Sequence, residues 1–252
     1  MNIETLTIDF SGKKVPFSYR ADSEGDRGVI NQVFRNNDYA FQHWAQGKAL
    51  IEFHERESKN RPSLIIDAGA NIGASAVFFL NMLENVFVFS MEPQLSNFRL
   101  LEHNTAAFPN KFNFHGAIAN KEGEVMIVDP GHSDWGFRTS AVTDEAQAGN
   151  AQIVESISPR SILAEPSLGN ATPLILKIDI EGAEGELFDG DVEWLGRFAL
   201  VIIELHDWML PFQGSSTNFF KALAHFNFDY VQRNENIFLF NRDLLAPTAP
   251  AV

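Results

Sequence analysis

The chain has 252 residues, enough for one domain or two small ones with a full core, and its 45% hydrophobic and 21% charged residues are the balance of a folded protein rather than a disordered one. Lys and Arg number 19 against 33 Asp and Glu, a formal net charge of −14, which argues against nucleic acid or an anionic membrane as the main partner, because both reward clustered basic residues. There is no Cys, so disulfides, thiolate metal sites, iron–sulfur clusters and Cys nucleophiles are excluded.

Met1-Asn2-Ile3-Glu4-Thr5 has no basic region followed by an apolar stretch, so no signal peptide is expected. No run approaches the roughly 18 uncharged apolar residues of a spanning helix; a soluble cytoplasmic protein is the expectation.

Ile3 to Phe10 alternates partly, Ser11-Gly12-Lys13-Lys14 supplies a turn, and Val15 to Tyr19 follows, which predicts a hairpin. Amphipathic stretches around Val29 to Phe34 and Trp44 to Arg56 precede a polar break at Lys59-Asn60-Arg61-Pro62. From there strands and helices alternate. Strands are predicted at Ser63 to Ile66, Val86 to Met91, Phe112 to Ala119, Leu174 to Ile180 and Ala199 to Leu205, with helices over Ile72 to Leu83, Ser96 to Ala107, Ala183 to Leu195 and Asn218 to His225. Glu122 to Asp129 reads as a short extension and Pro130 to Gly149 as a loop rich in Gly, Ser, Thr and Asp. Tyr230 to Arg233 and Ile237 to Asn241 make a second hairpin, and the tail from Leu245 is expected to fray. Unbroken apolar strands alternating with helices predict a mostly parallel, doubly wound α/β sheet with an antiparallel C-terminal hairpin. The predicted division is an N-terminal hairpin and helical cover (residues 1–60), a ligand-binding domain (61–243) and a tail (244–252).

In such a sheet, ligands sit outside the carboxyl ends of the strands. The first of these ends reads Asp67-Ala68-Gly69-Ala70-Asn71-Ile72-Gly73, where Gly69 and Gly73 allow a tight turn and the following helix offers its free amides. A dinucleotide fingerprint needs Gly, Gly and Gly or Ala at offsets 0, 2 and 5. Here those positions hold Gly69, Asn71 and Ala74, so one of the three fails. The other pattern, acidic-x-Gly-x-Gly-x-Gly, is the S-adenosylmethionine (AdoMet) turn of class I methyltransferases, and it is met by Asp67, Gly69 and Gly73 with Asn71 in the middle place. No Lys or Arg occurs from Pro62 to Phe98, which suits a sulfonium and an α-ammonium better than a pyrophosphate. Glu92 ends the next strand 19 residues after Gly73, where a carboxylate accepts from ribose hydroxyls.

These residues, with Glu92-Pro93, Asn97-Phe98, Leu101, Asn104, the run Leu176-Lys177-Ile178-Asp179-Ile180-Glu181-Gly182-Ala183-Glu184 and Ile202-Ile203-Glu204, resemble the FkbM family of AdoMet-dependent methyltransferases. The resemblance spans Pro62 to His206 well and the C-terminal hairpin loosely. It implies a seven-stranded class I methyltransferase sheet, AdoMet as donor, and transfer to an oxygen, often a hydroxyl of a sugar or secondary metabolite. It also places adenine against Gly116 to Ala119, with Ala117 among the cofactor-binding residues.

At period two, Lys177, Asp179 and Glu181 share one face of a strand, and Glu204 and His206 end the next. Methyl transfer is accelerated mainly by aligning acceptor, methyl and sulfur, and an alcohol must also lose a proton. His206, which titrates near neutral pH, is the candidate base. Asp179 and Glu181 are assigned with it to the catalytic set, and Asp179 also to the AdoMet ammonium. Orienting the acceptor, or holding a divalent cation with Glu204, are their alternative duties; the reading adopted contains no metal. Trp135 and Arg138, in the long loop, and Glu204 are acceptor-side candidates, for stacking and for gripping an anion. Two alternatives stay open: an NAD-dependent oxidoreductase on a similar sheet, and an AdoMet-binding protein without turnover. A small-molecule or carbohydrate acceptor is the expected partner.

Overall fold

The computed structural model describes residues 2–128, 138–141, 152–168 and 170–246. Strands Ile3–Phe10 (β1) and Lys13–Arg20 (β2) pair antiparallel through a two-residue turn. Ser11 (φ 52°) and Gly12 (φ 94°) are both left-handed, as a turn matching the strand twist requires. Helix Glu24–Ile30 (α1), capped by the Ser23 side chain, runs into a π-helical turn at Asn31–Arg35, and helix Ala45–Glu57 (α2) follows.

Strand Ser63–Ala68 (β3), helix Ala74–Met82 (α3), strand Val86–Met91 (β4), helix Leu95–Thr105 (α4) and strand Lys111–Phe114 (β5) then alternate as predicted. Next come Ala117–Ile118 (β6), Gly123–Val128 (β7), Arg138–Ala141 (β8), Gln152–Ile157 (β9) and helix Pro159–Ala164 (α5). The remaining elements are Thr172–Ile178 (β10), Glu184–Leu187 (α6), Leu200–Glu204 (β11), Thr217–Leu223 (α7), Phe228–Arg233 (β12), Asn236–Asn241 (β13) and Arg242–Leu245 (α8).

The main sheet has seven strands in the order β12-β13-β11-β10-β3-β4-β5. Its pairs are parallel except those made by β13. The chain leaves β3 toward β4 on one side and returns to β10 on the other, so the strand order reverses between β3 and β10. That switch point is where a doubly wound sheet opens a crevice. The central strands read as continuous apolar runs because both faces are covered. On one face Ile65, Ile175 and Ile202 pack with α3 and with Phe17, Tyr39, Phe41 and Leu50; on the other, Ile66, Ile178 and Ile203 pack with Trp194, Phe198 and Phe219. The first sixty residues thus contribute to the same core as α3.

Four expectations are corrected. The strand predicted over 112–119 breaks at His115-Gly116, where a Cβ on Gly116 would lie 2.3 Å from the Phe114 ring and 2.4 Å from the Glu155 carbonyl oxygen, so that only Gly fits; β6 belongs to a second sheet, ordered β6-β9-β7-β8. The stretch read as a loop contains β8, paired with β7, and the rest of it lies outside the described residues. The helix predicted over 183–195 is one short turn, α6, followed by Gly190 at φ 103° and a 3₁₀ turn at Glu193–Arg197, since Asp189-Gly190-Asp191 cannot continue a helix. The tail begins inside α8, and residues 247–252 lie outside the described residues.

Candidate active site

At the end of β3 the chain turns through Gly69 (φ 76°), Asn71 (φ 50°) and Gly73 (φ 90°). Asn tolerates the left-handed region better than other side chains, which explains its presence at the middle position. Asp67 is fully buried: its Oδ2 accepts from Ser75 Oγ at 2.6 Å, and its Oδ1 lies 3.3 Å from the Lys177 ammonium, an ion-pair contact. Lys177 in turn donates to Gly69 O at 2.7 Å and Ala68 O at 3.3 Å. Burial opposes the charge on Lys177, but Tyr39, Asp67 and Asp179 outweigh it and raise the pKa. Asp67, expected among the cofactor-binding residues, lies at the base of the turn, held by Ser75 and Lys177.

Glu92, just past β4, is nearly buried. Oε2 accepts from the Asn71 amide at 2.8 Å; Oε1 accepts from the Gln94 amide at 2.9 Å and from Asn97 Nδ2 at 3.4 Å. Burial pushes its pKa up to about 7, against the pull of these hydrogen bonds. The acid and the glycine turn are one bonded unit.

Past β10 and β11 lies a cage of carboxylates. His206 Nδ1 stands 2.7 Å from Oε1 of Glu184, which is itself fully buried. Nδ1 is therefore assigned the donor role. Nε2 then faces Glu204 Oε1 at 3.4 Å, Glu181 Oε2 at 3.5 Å and Asp179 Oδ1 at 3.6 Å. A bare lone pair among three carboxylates is repelled, which favours a second proton there. Burial disfavours it, but the hydrogen bonds to Glu184 and Glu204 and the charge of Asp179 push the pKa up to about 11. These groups favour the imidazolium form of His206, the candidate base of the sequence reading. Burial, with the like charge of Asp179, instead pushes Glu181 up to about 7; burial also raises Glu204. Atoms of Asp179, Glu181 and His206 lie within 4.8 Å of one another, a spacing that could hold a metal ion.

The family model described as the methyltransferase FkbM domain matches residues 67–231, about two thirds of the chain. The chain belongs to the FkbM methyltransferase family. That membership removes the oxidoreductase alternative. Among solved structures, this FkbM chain is similar to monomeric WbdD (12% identity, 82% of this chain, 44% of that one, TM-score 0.43). It is also similar to the fibrillarin pre-rRNA processing protein of Methanococcus jannaschii (11%, 94% and 82%, 0.45) and to the O-methyltransferase of Bacillus cereus in complex with SAH (9%, 85% and 91%, 0.42). The chain thus spans less than half the length of WbdD. A search of curated proteins finds no match.

Within the FkbM domain, the predicted convergence of Asp179, Glu181, Glu204 and His206 is observed, although β10 ends at Ile178 and Glu181 is left-handed (φ 55°). Ala117 is buried on β6, beside Gly116, whose amide donates to Glu92 O at 3.3 Å. Arg138 begins β8; Trp135 lies outside the described residues. Two contributors were not foreseen. Glu184, readable as an ordinary first-turn acid of a helix, holds the imidazole. Tyr39 is buried from the N-terminal segment within electrostatic reach of Lys177, Asp179, Asp67 and Glu204, and burial raises its pKa; no period in the sequence ties it to the strand ends. Among the described residues no helix is long and apolar enough to cross a membrane.

Proposed function

We propose that the protein is an AdoMet-dependent O-methyltransferase acting on a hydroxyl of a small-molecule or carbohydrate acceptor. The observation that carries this reading is Glu181, a quarter-exposed carboxyl past β10 that lies beside Asp179, Glu204 and His206 and whose pKa burial and Asp179 push up to about 7. A general base works best when its pKa lies near the working pH.

The turn suits the cofactor's amino-acid end. Asn71 Oδ1 is a buried acceptor with no hydrogen-bond partner among the described residues, and it and Asp179 are assigned to the ammonium. Gly69 and Gly73 keep the turn low, and Asp67 holds it. Glu92 is assigned to the ribose hydroxyls, using lone pairs its backbone partners leave free, and Ala117 to adenine. When bound, AdoMet supplies a methyl group on a cationic sulfur. Glu181 Oε2 takes the acceptor's hydroxyl proton. The imidazolium of His206 holds Glu181, Asp179 and Glu204 together without neutralising them all, and Glu204 orients the acceptor with Trp135 and Arg138. Residues 1–60 are assigned the role of cover over the crevice. The acidic surroundings favour a neutral or cationic acceptor over a nucleic acid.

Transfer of labelled methyl from AdoMet to a panel of hydroxyl acceptors tests the reading, alongside calorimetry with S-adenosylhomocysteine. Label appearing on nitrogen or carbon alone would overturn the O-methyl assignment, and cofactor binding without any transfer would favour a non-catalytic role.

A further inference from the structure

We propose that Arg20, on the N-terminal hairpin, is a positioning residue for the ribose site, acting through Asn97 on Glu92. The inference rests on the cofactor reading above.

The Arg20 guanidinium is buried. Nε and Nη2 donate to the two oxygens of Asp26 at 3.0 and 2.5 Å, Nη1 reaches Ser96 Oγ at 3.4 Å, and Nη2 also donates to Asn97 Oδ1 at 2.7 Å. A guanidinium has donors only. It therefore forces Asn97 to present its carbonyl oxygen toward Arg20, which leaves Nδ2 for Glu92 Oε1 at 3.4 Å. Were the amide reversed, a carbonyl oxygen would face the carboxylate. Arg20 fixes the direction of this hydrogen bond, and through Glu92 and the Asn71 amide the order reaches the glycine turn.

Holding the hairpin down does not require this arrangement. Asp26 already takes two guanidinium donors, and Asn104 ties β2 to the turn by three hydrogen bonds, to Ser18 N, Ser18 O and Ile72 O. The bond to Asn97 is additional, and it points at the one acid assigned to the ribose. Around Glu92 the other groups are the Asn71 and Gln94 amides and the Lys177 ammonium from β10; His115 bonds the neighbouring Pro93 carbonyl. Among the described residues that hydrogen-bond Glu92, Asn97 is the one that also hydrogen-bonds the N-terminal segment.

The experiment is calorimetric binding of S-adenosylhomocysteine to the full chain from pH 5.5 to 8.5. In the wild type, affinity should rise with pH through about 7 as the Glu92 carboxyl ionises. Asn97→Leu removes the donor. R20M/D26L removes both buried charges together, so that neither is left unpaired, while freeing the amide of Asn97. Each should weaken binding by roughly tenfold to a hundredfold, the worth of a hydrogen bond to a charged group, and should move the pH midpoint upward. Asn97→Gln should restore part of both. Folded variants with unchanged affinity, or with weaker affinity at an unmoved midpoint, would overturn the proposal, the latter leaving Arg20 a structural clamp. Should R20M/D26L not fold, Asn97→Leu decides alone. A wild type that binds no S-adenosylhomocysteine at any pH would remove the cofactor reading and this inference with it.

Discussion

A Cβ placed on Gly69 would stand 1.7 Å from the carbonyl oxygen of Asp179. The floor of the turn and the first residue of the carboxylate cage are thus in backbone contact, and no side chain fits between β3 and β10 at this level. Gly69 is also left-handed (φ 76°), so Gly69→Ala pays about 1–3 kcal/mol of strain before the strands move apart to admit the methyl. A fall in Tm of roughly 5–10 °C is expected, at about 2–4 °C per kcal/mol for a chain of this size, with loss of S-adenosylhomocysteine binding. Gly190 is the control. It too has a positive φ, 103°, but its Cβ would meet nothing within 4 Å, so Gly190→Ala should cost only the strain and leave binding intact. Equal behaviour of the two variants would show that the contact between Gly69 and Asp179 does not matter.

Methyl transfer should depend on pH through Glu181. Its pKa is raised to about 7, so below that pH the carboxyl is protonated and cannot accept the acceptor's proton; the rate at saturating substrates should rise through about 7 and then level. Glu181→Gln should lower kcat by about 10²–10⁴, the usual share of a general base, and flatten the profile, with cofactor affinity nearly unchanged. A Gln variant that keeps the wild-type rise would move the base to another residue.

Stability should change with pH in the opposite sense. His206 is raised from 6.5 to about 11, so between those values the folded state holds a proton that the unfolded chain has released. The stabilisation is fully present below 6.5 and is lost as pH climbs toward 11. Calorimetric Tm should therefore fall between pH 7 and 10, and His206→Gln should flatten that part of the curve. A Tm that stays level or rises across this range would mean a neutral imidazole and would return His206 to the role of base.

The central strands and the glycine turn were legible because their causes are local. Strands covered on both faces read as apolar runs, and a left-handed turn asks for Gly or Asn where it stands. The convergence of Asp179, Glu181, Glu204 and His206 was legible too, although β10 ends at Ile178, before the first two of them. The surroundings of the imidazole were not legible in full, because they include Glu184, 22 residues away from His206 and in a helix that proved to be a single turn. Nor was the second sheet: Gly116 fits closely against the carbonyl of Glu155, and no local signal at 116 announces a neighbour so distant. Lys177 was readable as sharing a strand face with Asp179; it pairs with Asp179 and with Asp67 on the adjacent strand, and the second of these only the register of β10 against β3 reveals.

Asn104 joins the N-terminal hairpin to the turn. Its Oδ1 accepts from the Ser18 amide at 2.7 Å, and its Nδ2 donates to Ser18 O at 2.9 Å and Ile72 O at 2.8 Å. Asn104→Ala leaves three backbone groups without partners, two of them on β2 and one between Asn71 and Gly73, at about 1–3 kcal/mol for each group that stays dry. A total of about 3–5 kcal/mol is expected, whereas Arg56→Ala, which breaks an exposed pair with Glu57, should cost almost nothing. Hydrogen exchange separates two consequences. If the hairpin braces the turn, amides of both Ser18 and the 71–73 segment lose protection together, and S-adenosylhomocysteine binds more weakly. If protection is lost at Ser18 alone with affinity unchanged, the hairpin is a cover that the cofactor site does without.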